Sequence, residues 1–358
     1  MGRRCLVLSA SMGAGHDAVA GELARRLRAQ GHDVLVRDVL TLLPPGTGRA
    51  VRGFYRFVVR RVPRVYEAIH AVFLAPRPER RRGLDVAPMA ALAERRTGAL
   101  VAAWRPEVVV STFHLAGQIT GRMRRRGTLA VPCAVFVTDF AVHRAWLDSG
   151  NDLYLCVSDT AARAAREGTG RAAVATGPVV PPEFTGAAGA EGAGDAGAGP
   201  PEVLLSGGAW GVGPGLLETA RELARRGYRP VLLCGRDERL RRRAARLPGV
   251  RALGWTDDVP GLMASARALV DNAAGQTAVQ ALAAGLPVVG HRPIAGHGAV
   301  GVREMAAEGL TVYAADLAAL LVTLDRLVPP GPARDRRVAA GAAVFRADAA
   351  RLVADLAR

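Results

Sequence analysis

Short apolar segments alternate with helical patterns along almost the whole chain. Runs such as CLVLSA, EVVVST and AVFVTDF are apolar at nearly every position, which predicts strands buried on both faces. Helical spacing of apolar residues separates some of these runs, first at 17–30. Strands and helices that alternate in this way form parallel sheets covered by helices on both sides. The sequence therefore predicts an α/β fold.

The alternation stops once and then starts again. Residues 183–201 read EFTGAAGAEGAGDAGAGPP, and a segment with so few side chains to bury is typical of a flexible linker. A chain of 358 residues has room for two domains of about 150 residues each. We expect Rossmann-like domains at 1–182 and 202–331, and one amphipathic helix at 332–358 whose packing partner is open. Because such sheets bind ligands at the carboxyl ends of their strands, we expect a site in the cleft between the domains.

The basic charge is unevenly distributed. All 48 basic residues are arginine; residues 1–180 hold 27 of them against 14 acidic residues, and residues 181–358 hold 21 against 18. This asymmetry indicates that the first half faces an anionic partner. The four cysteines lie in short apolar runs without paired spacing, which predicts buried thiols in a reduced, cytoplasmic protein. No apolar stretch is long enough to span a membrane, so any membrane contact should be peripheral.

A glycine loop, SASMGAGH, follows the first predicted strand and leads into the first helix. Gly13 and Gly15 would let backbone N–H groups approach a ligand at the positive end of that helix. A histidine at the mouth of such a loop, here His16, is a candidate general base. The same spacing with Ala18 and Asp38 fits a dinucleotide fingerprint, so an NAD-dependent oxidoreductase is an alternative.

Residues 49–73 combine arginines with aromatic and aliphatic side chains. They hold five of the 17 aromatic residues and six arginines, a pattern typical of a helix at a membrane interface. Pro63 should kink this helix, and PRPERRRG at 76–83 adds charge. An ordinary helix with a solvated basic face is the alternative. Nucleic acid is not an expected partner, because these aromatics are embedded among aliphatics. The proposed contacts to acceptor and membrane are Phe54, Tyr55, Arg56, Phe57, Arg60 and Arg61, together with Gly13 and Gly15.

Three ordered segments resemble a known family. They are SASMGAGHDAVAGEL, VPCAVFVTDFAVHRAWLDSGNDLYLCVSD and LGWTDDVPGLMASARALVDNAAGQTAVQALAAGLPVVGHRPIAGH. The chain is similar to the lipid-modifying branch of the two-domain GT-B glycosyltransferases (family 28-like), which includes diacylglycerol glucosyltransferases and monogalactosyldiacylglycerol synthases. The resemblance implies an inverting transfer of a hexose from a UDP-sugar to a lipid such as diacylglycerol at the inner face of the plasma membrane. It also implies no metal or other cofactor, and the sequence offers no carboxylate cluster or His/Cys spacing suited to a cation.

The sequence departs from the family in the donor-binding stretch. Ala273 and Ala274 precede the helix where the family has Gly-Gly or Ser-Gly, and Gln280 replaces an acidic residue that accepts hydrogen bonds from the ribose. His297 and Gly301 also differ from the family pattern. Donor identity, and whether the chain catalyses or only binds a nucleotide-sugar, are therefore open. A soluble acceptor in place of a lipid is a further alternative.

The candidate site residues divide into two groups. For the catalytic base we rank His16 before Asp139 and His143; Asp139 ends the strand AVFVTD and could also act as a helix N-cap. Backbone amides at helix N-termini and side chains at strand ends should bind the donor. The proposed donor contacts are Gly207, Gly208, Trp255, Thr256, Gly275, Gln276, Thr277, Gln280 and His297.

Overall fold

A computed structural model describes residues 2–69, 87–185 and 199–357. The chain forms two compact units, one made of Met1–Val179 with Arg346–Arg358 and the other of Val180–Phe345. Each unit contains a parallel sheet of six strands, and α-helices join most successive strands, with a 3₁₀ turn at Arg144–Trp146 between the fourth and fifth strands of the first unit. The predicted α/β class with two Rossmann-like sheets is confirmed.

The first unit is built on strands that are almost entirely apolar. They are β1 (Arg4–Ser9), β2 (Asp33–Asp38), β3 (Val108–Ser111), β4 (Cys133–Val137), β5 (Leu153–Cys156) and β6 (Ala172–Ala175). Their order in the sheet is β2-β1-β3-β4-β5-β6. The helices of this unit are α1 (Ala14–Ala29), α2 (Thr47–Arg61), α3 (Pro63–Ile69), α4 (Ala87–Trp104), α5 (His114–Arg125) and α6 (Asp159–Thr169). All four residues of β3 and all five of β4 are buried, as expected for central strands covered on both faces.

The second unit repeats this plan. Its strands are β7 (Glu202–Ser206), β8 (Arg229–Leu233), β9 (Arg251–Leu253), β10 (Ala268–Asp271), β11 (Val288–His291) and β12 (Thr311–Ala314). They lie in the order β12-β11-β10-β7-β8-β9. Its helices are α7 (Leu216–Arg225), α8 (Glu238–Ala244), α9 (Val259–Ser265), α10 (Gln276–Ala283), α11 (His297–Ala307), α12 (Leu317–Leu327) and α13 (Pro332–Ala343).

The C-terminal segment is two helices, not the single helix expected at 332–358. The first, α13, belongs to the second unit, and the last, α14 (Ala349–Leu356), belongs to the first. Between them the backbone amides of Arg346 and Ala347 both donate to the carbonyl of Thr176, at 3.0 and 3.1 Å. These bonds to a neighbouring segment replace intrahelical ones, and Asp348 then caps α14 by accepting from Ala350 N.

The predicted linker and the predicted basic helix are only partly within the described residues. Residues 186–198 and 70–86 lie outside them, and with them PRPERRRG at 76–83. Within the predicted linker, a 3₁₀ turn covers Pro182–Phe184 before residues 186–198, and β7 begins after them at Glu202. The basic segment is divided at the expected proline, because α2 ends at Arg61 and α3 starts at Pro63.

Candidate active site

The strand order of the first unit reverses between β1 and β3, which creates a crevice at their carboxyl ends. His16 lies in the first turn of α1, after β1, and Thr112 directly follows β3. The Nδ1 atom of His16 donates to the carbonyl oxygen of Thr112 at 3.0 Å. This hydrogen bond joins the two loops that border the crevice, so the structure places the predicted base at the switch point.

The hydrogen bond fixes which nitrogen of His16 carries the proton. A carbonyl oxygen only accepts, so Nδ1 is protonated and Nε2 keeps its lone pair in the neutral ring. Burial lowers the pKa of His16 below its ordinary value, against smaller opposing effects of the Asp139 charge and the bond to Thr112. The imidazole is therefore neutral near pH 7 and can accept a proton at Nε2.

Asp139 lies two residues after β4 and is held by aromatic neighbours. Its Oδ2 accepts from the indole Nε1 of Trp146 at 2.9 Å and lies 3.5 Å from Nε2 of His143. Thr138 donates to Oδ1 at 3.2 Å, and its hydroxyl lies 3.4 Å from Nδ1 of His16. The alternative role of Asp139 as a helix N-cap is wrong, because the next helical turn begins at Arg144. Asp139 and His143 belong instead to one polar cluster with His16.

Sequence reasoning missed His114, which starts α5. Its ring centroid lies 5.2 Å from that of His143 and 5.9 Å from that of Trp146. The Phe113 ring touches both His114 and His16, at centroid distances of 4.1 and 4.9 Å. The sequence did carry a signal, since a histidine that starts a helix after an apolar strand repeats the placement of His16.

Helix α2 has two different faces. Phe54 and Phe57 are 59% and 58% exposed, and Arg56, Arg60 and Arg61 are exposed around them. Tyr55, grouped with these residues in the sequence analysis, is half-buried on another face and packs edge-on against Tyr66 at a centroid distance of 5.6 Å. Burial raises the pKa of both tyrosines, and the Asp139 charge adds to this effect. Tyr55 is therefore partly covered by Tyr66 rather than fully exposed to solvent.

The glycine loop has a local structure that is compatible with ligand approach. Gly13 caps α1 in an extended conformation, and no described atom lies within 4 Å of a Cβ built there. Gly15 is the second residue of α1. Asp38, the ribose ligand of the oxidoreductase alternative, caps a 3₁₀ turn through Leu40 N and pairs with Arg52 at 2.8 Å. Its carboxylate is engaged within the protein, which counts against that alternative.

In the second unit the strand order reverses between β7 and β10. Gly207 and Gly208 form the turn after β7, where Gly208 has a positive φ of 62°. The loop after β10 reaches across to that turn, because Asn272 donates from Nδ2 to the carbonyl of Val212 at 3.0 Å. The predicted donor glycines and the start of α10 therefore border one crevice.

An unusual turn precedes α10. The buried Asp271 accepts through Oδ2 from the backbone amides of Ala273 and Ala274, at 2.9 and 2.6 Å. Ala274 has a φ of 52°, a left-handed conformation that costs an alanine about 1 kcal/mol. A Cβ built on Gly301 would lie 3.0 Å from the Ala274 methyl group. Ala274 and Gly301 are both departures from the family pattern, and the missing side chain at Gly301 leaves room for the methyl group of Ala274.

Two helix N-termini meet at this turn. Gly275 caps α10 and Gly296 caps α11, and neither helix has a side-chain cap. A Cβ on Gly298 would lie 3.1 Å from the carbonyl oxygen of Asn272, so α11 packs closely against the turn. Gln276 and Thr277 open α10, and His297 opens α11. Their converging amides form a region of positive potential suited to an anion.

The remaining predicted donor residues lie on separate elements of the second unit. Trp255, 46% exposed, follows β9, and the Arg236 guanidinium lies 4.0 Å from its ring centroid. The hydroxyl of Thr256 accepts from Asp258 N at 3.2 Å, which stabilises the turn before α9. Gln280 is half-buried in the second turn of α10.

The described residues contain neither a cluster suited to a metal ion nor a helix suited to a membrane span. No three His, Cys, Asp or Glu side chains there are grouped closely enough to hold a metal ion. No helix within the same residues is both long and apolar enough to cross a membrane.

Comparisons with known proteins point to one class. Residues 16–180 match the family model described as monogalactosyldiacylglycerol (MGDG) synthase. The processive diacylglycerol beta-glucosyltransferase of Bacillus subtilis (strain 168) is 23% identical over 325 residues, which are 82% of this chain and 78% of that protein.

Solved structures agree with this fold. The glycosyltransferase of kitacinnamycin is 16% identical with a TM-score of 0.65, and the match covers 100% of both chains. The glycosyltransferase SsfS6 of Streptomyces sp. SF2575, complexed with thymidine diphosphate, is also 16% identical with a TM-score of 0.60, over 99% of both chains.

Together with the two parallel sheets, these matches define the chain as a glycosyltransferase with the GT-B fold. Within this class the chain is similar to diacylglycerol glucosyltransferase and to MGDG synthase, and the MGDG synthase match covers most of the first unit.

Proposed function

We propose that the protein transfers a hexose from a UDP-sugar to a hydroxyl group of a membrane lipid such as diacylglycerol, with inversion at the anomeric carbon. The first unit supplies the base and binds the acceptor, and the second unit binds the donor. The reaction takes place at the inner face of the plasma membrane.

His16 is the base in this proposal. As the acceptor oxygen attacks the anomeric carbon, its proton passes to Nε2, and the bond between that carbon and the diphosphate oxygen breaks with UDP taking the electron pair. The Asp139 charge, which favours the protonated form of His16, stabilises the imidazolium as it forms. Trp146 and Thr138 hold the carboxylate in place.

The two helix N-termini of the second unit support a diphosphate donor. Negative charge grows on the leaving diphosphate, and the amino ends of α10 and α11 supply fixed positive dipoles for it. The thymidine diphosphate bound to SsfS6 supports a pyrimidine nucleoside diphosphate. We infer that these dipoles replace a metal ion, and undiminished turnover in EDTA tests this.

The main observation in favour of a lipid acceptor is the exposed face of α2. Two exposed phenylalanines among exposed arginines suit insertion at the headgroup boundary of an anionic bilayer. This face belongs to the same unit as His16, and Tyr55 on another face of the helix packs against Tyr66.

The activity is tested with a panel of nucleotide-sugars and vesicles of phosphatidylcholine, phosphatidylglycerol and dioleoylglycerol. We expect labelled glycolipid from one of the UDP-hexoses, with the anomeric configuration of the product opposite to that of the donor. Turnover of the donor with soluble hydroxyl compounds but not with lipid would contradict the lipid acceptor, and tight UDP binding without transfer to either would identify a binding protein.

Vesicle flotation tests the membrane surface separately. Replacing Phe54 and Phe57 by serine should lower vesicle binding about tenfold or more, because each buried aromatic contributes several times the energy of a methylene group. Tyr313→Ser removes an exposed aromatic from the second unit and is the matched control. Binding should also weaken as salt rises. Equal flotation of all three proteins would contradict α2 as the membrane surface.

A further inference from the structure

His114 occupies the side of the crevice opposite His16 in the first unit. His16 lies in the first turn of α1, which follows β1, and His114 is the first residue of α5, which follows β3. The ring of Phe113 contacts both imidazoles, so the two histidines are held a fixed distance apart. His143 and Trp146 contact the His114 ring as well.

One nitrogen of His114 is without a partner. Its Nδ1 is buried, and within the described residues it neither donates nor accepts a hydrogen bond. Leaving a buried polar group unsatisfied is unfavourable, and native proteins keep few such groups unless a ligand or an ordered water completes them. The half-buried ring therefore has an unused hydrogen-bonding position next to the base.

The ring is neutral, which decides what it can bind. Burial, together with the nearby His143 and His16, holds the pKa of His114 well below its ordinary value. Asp139 is the negatively charged group of the cluster and acts in the opposite direction with a smaller effect. A neutral imidazole has one donor and one acceptor nitrogen. It can therefore hydrogen-bond an uncharged hydroxyl or ester oxygen without a charge of its own.

We propose that His114 binds a second oxygen of the acceptor, adjacent to the hydroxyl that His16 deprotonates. This residue would then select acceptors with two neighbouring oxygens, such as the free hydroxyl and adjacent ester oxygen of a diacylglycerol, over simple long-chain alcohols. The inference rests on the proposed function, because it takes the acceptor hydroxyl to lie at Nε2 of His16. His114 moves no proton in this scheme; it orients the acceptor.

The test compares two acceptors with one variant. Initial rates are measured with 1,2-dioleoylglycerol and with oleyl alcohol in identical mixed micelles, for the wild type and His114→Phe. Phenylalanine keeps a ring against Phe113 and Trp146 but has no hydrogen-bonding atom. We expect the KM for dioleoylglycerol to rise about tenfold, as for the loss of one hydrogen bond of about 1.4 kcal/mol. The KM values for oleyl alcohol and for the nucleotide-sugar should stay unchanged.

Two further variants serve as a partial rescue and as a control for His114→Phe. His114→Gln restores a polar side chain and should recover part of the preference for dioleoylglycerol. His32→Phe is the matched control, since His32 lies before β2 and its Nδ1 already accepts from Arg3 N at 3.1 Å. If circular dichroism shows that His114→Phe is unfolded, His114→Met takes its place, because a flexible thioether side chain fills irregular space.

The outcomes separate the inference from the proposed function. An unchanged ratio of the two KM values in a folded His114→Phe or His114→Met variant overturns the inference alone. An equal rise of both KM values also overturns it, because this would indicate a merely structural role. No glycosylated product from the wild type with either alcohol overturns the proposed function and the inference with it.

Discussion

Trp146 donates from its indole Nε1 to Oδ2 of Asp139 at 2.9 Å. The indole is fully buried, whereas the carboxylate is partly exposed. A rigid buried donor therefore holds the carboxylate that faces His16 and His143. Hydrogen bonds to ionised groups contribute more than neutral ones, about 1.5–3 kcal/mol, so the indole of Trp146 contributes to the orientation of Asp139 together with the hydroxyl of Thr138.

Trp146→Phe should lower kcat about tenfold, since Asp139 loses the donor that orients it while the ring contacts are largely kept. Initial rates of UDP release measure this effect. Trp104→Phe is the matched control, because the Nε1 atom of Trp104 is buried without a partner among the described residues. Equal kcat values for the two variants would remove Trp146 from the mechanism.

His16→Ala should lower turnover by about 100-fold or more, the effect expected for loss of a general base. Donor affinity, measured by calorimetry with UDP, should change much less. A normal rate of hexose transfer by this variant would show that another group accepts the proton.

The stability of the protein should fall as the pH decreases below 6.5. Burial lowers the pKa of both His16 and His114 in the folded state, so the unfolded chain binds more protons just below the ordinary histidine pKa of about 6.5. The stabilisation is complete above that pH and is lost towards the lower folded-state values. Thermal melts at pH 7.5 and 5.5 should show a smaller loss for His114→Phe than for the wild type; equal losses would contradict this assignment.

Gln280→Glu should raise donor affinity by up to about tenfold, since a carboxylate accepts hydrogen bonds from ribose hydroxyls more strongly than an amide. Desolvation of the new charge and its proximity to the diphosphate would reduce the gain. Gln280→Ala should weaken donor binding. If both variants bind the UDP-sugar as the wild type does, Gln280 does not face the ribose.

Gly301→Asn should destabilise the protein by about 1–3 kcal/mol, because its Cβ would press on the Ala274 methyl group. In an Ala274→Gly background the cost should be at least about 1 kcal/mol smaller, since glycine removes that methyl group and accepts the left-handed conformation. Urea unfolding of the four proteins measures the coupling. Additive effects would show that the two positions act independently.

The architecture could largely be predicted from the sequence, because runs such as EVVVST have no polar face to expose. Strand β6, AAVA, was not predicted, since half of it is exposed and alanine has little strand preference. The break between α13 and α14 also escaped prediction. It depends on hydrogen bonds to Thr176, which lies far away in the sequence.

Parts of the candidate site could be predicted from local sequence. His16 was predicted from the glycine loop before α1 and Asp139 from its place at the end of an apolar run, and their catalytic roles stay predictions. His114 was missed because its neighbours, not its own position, define its role. The helical pattern of residues 49–61 also does not reveal that Tyr55 packs against Tyr66 in the next helix, and its role as an acceptor or membrane contact stays a prediction.

The return of the chain from the second unit to the first affects how the protein can be made. Helix α14 buries Ala350 and Val353 in the first unit, where it contacts α1, β3 and β4. On the ribosome, the N-terminal part of the chain must therefore wait for about 180 further residues before this surface is covered. The second unit is contiguous in sequence and can fold while that surface is still exposed. A nascent chain stalled before α14 should consequently be a chaperone substrate, although all the strands of its first sheet have already been synthesised.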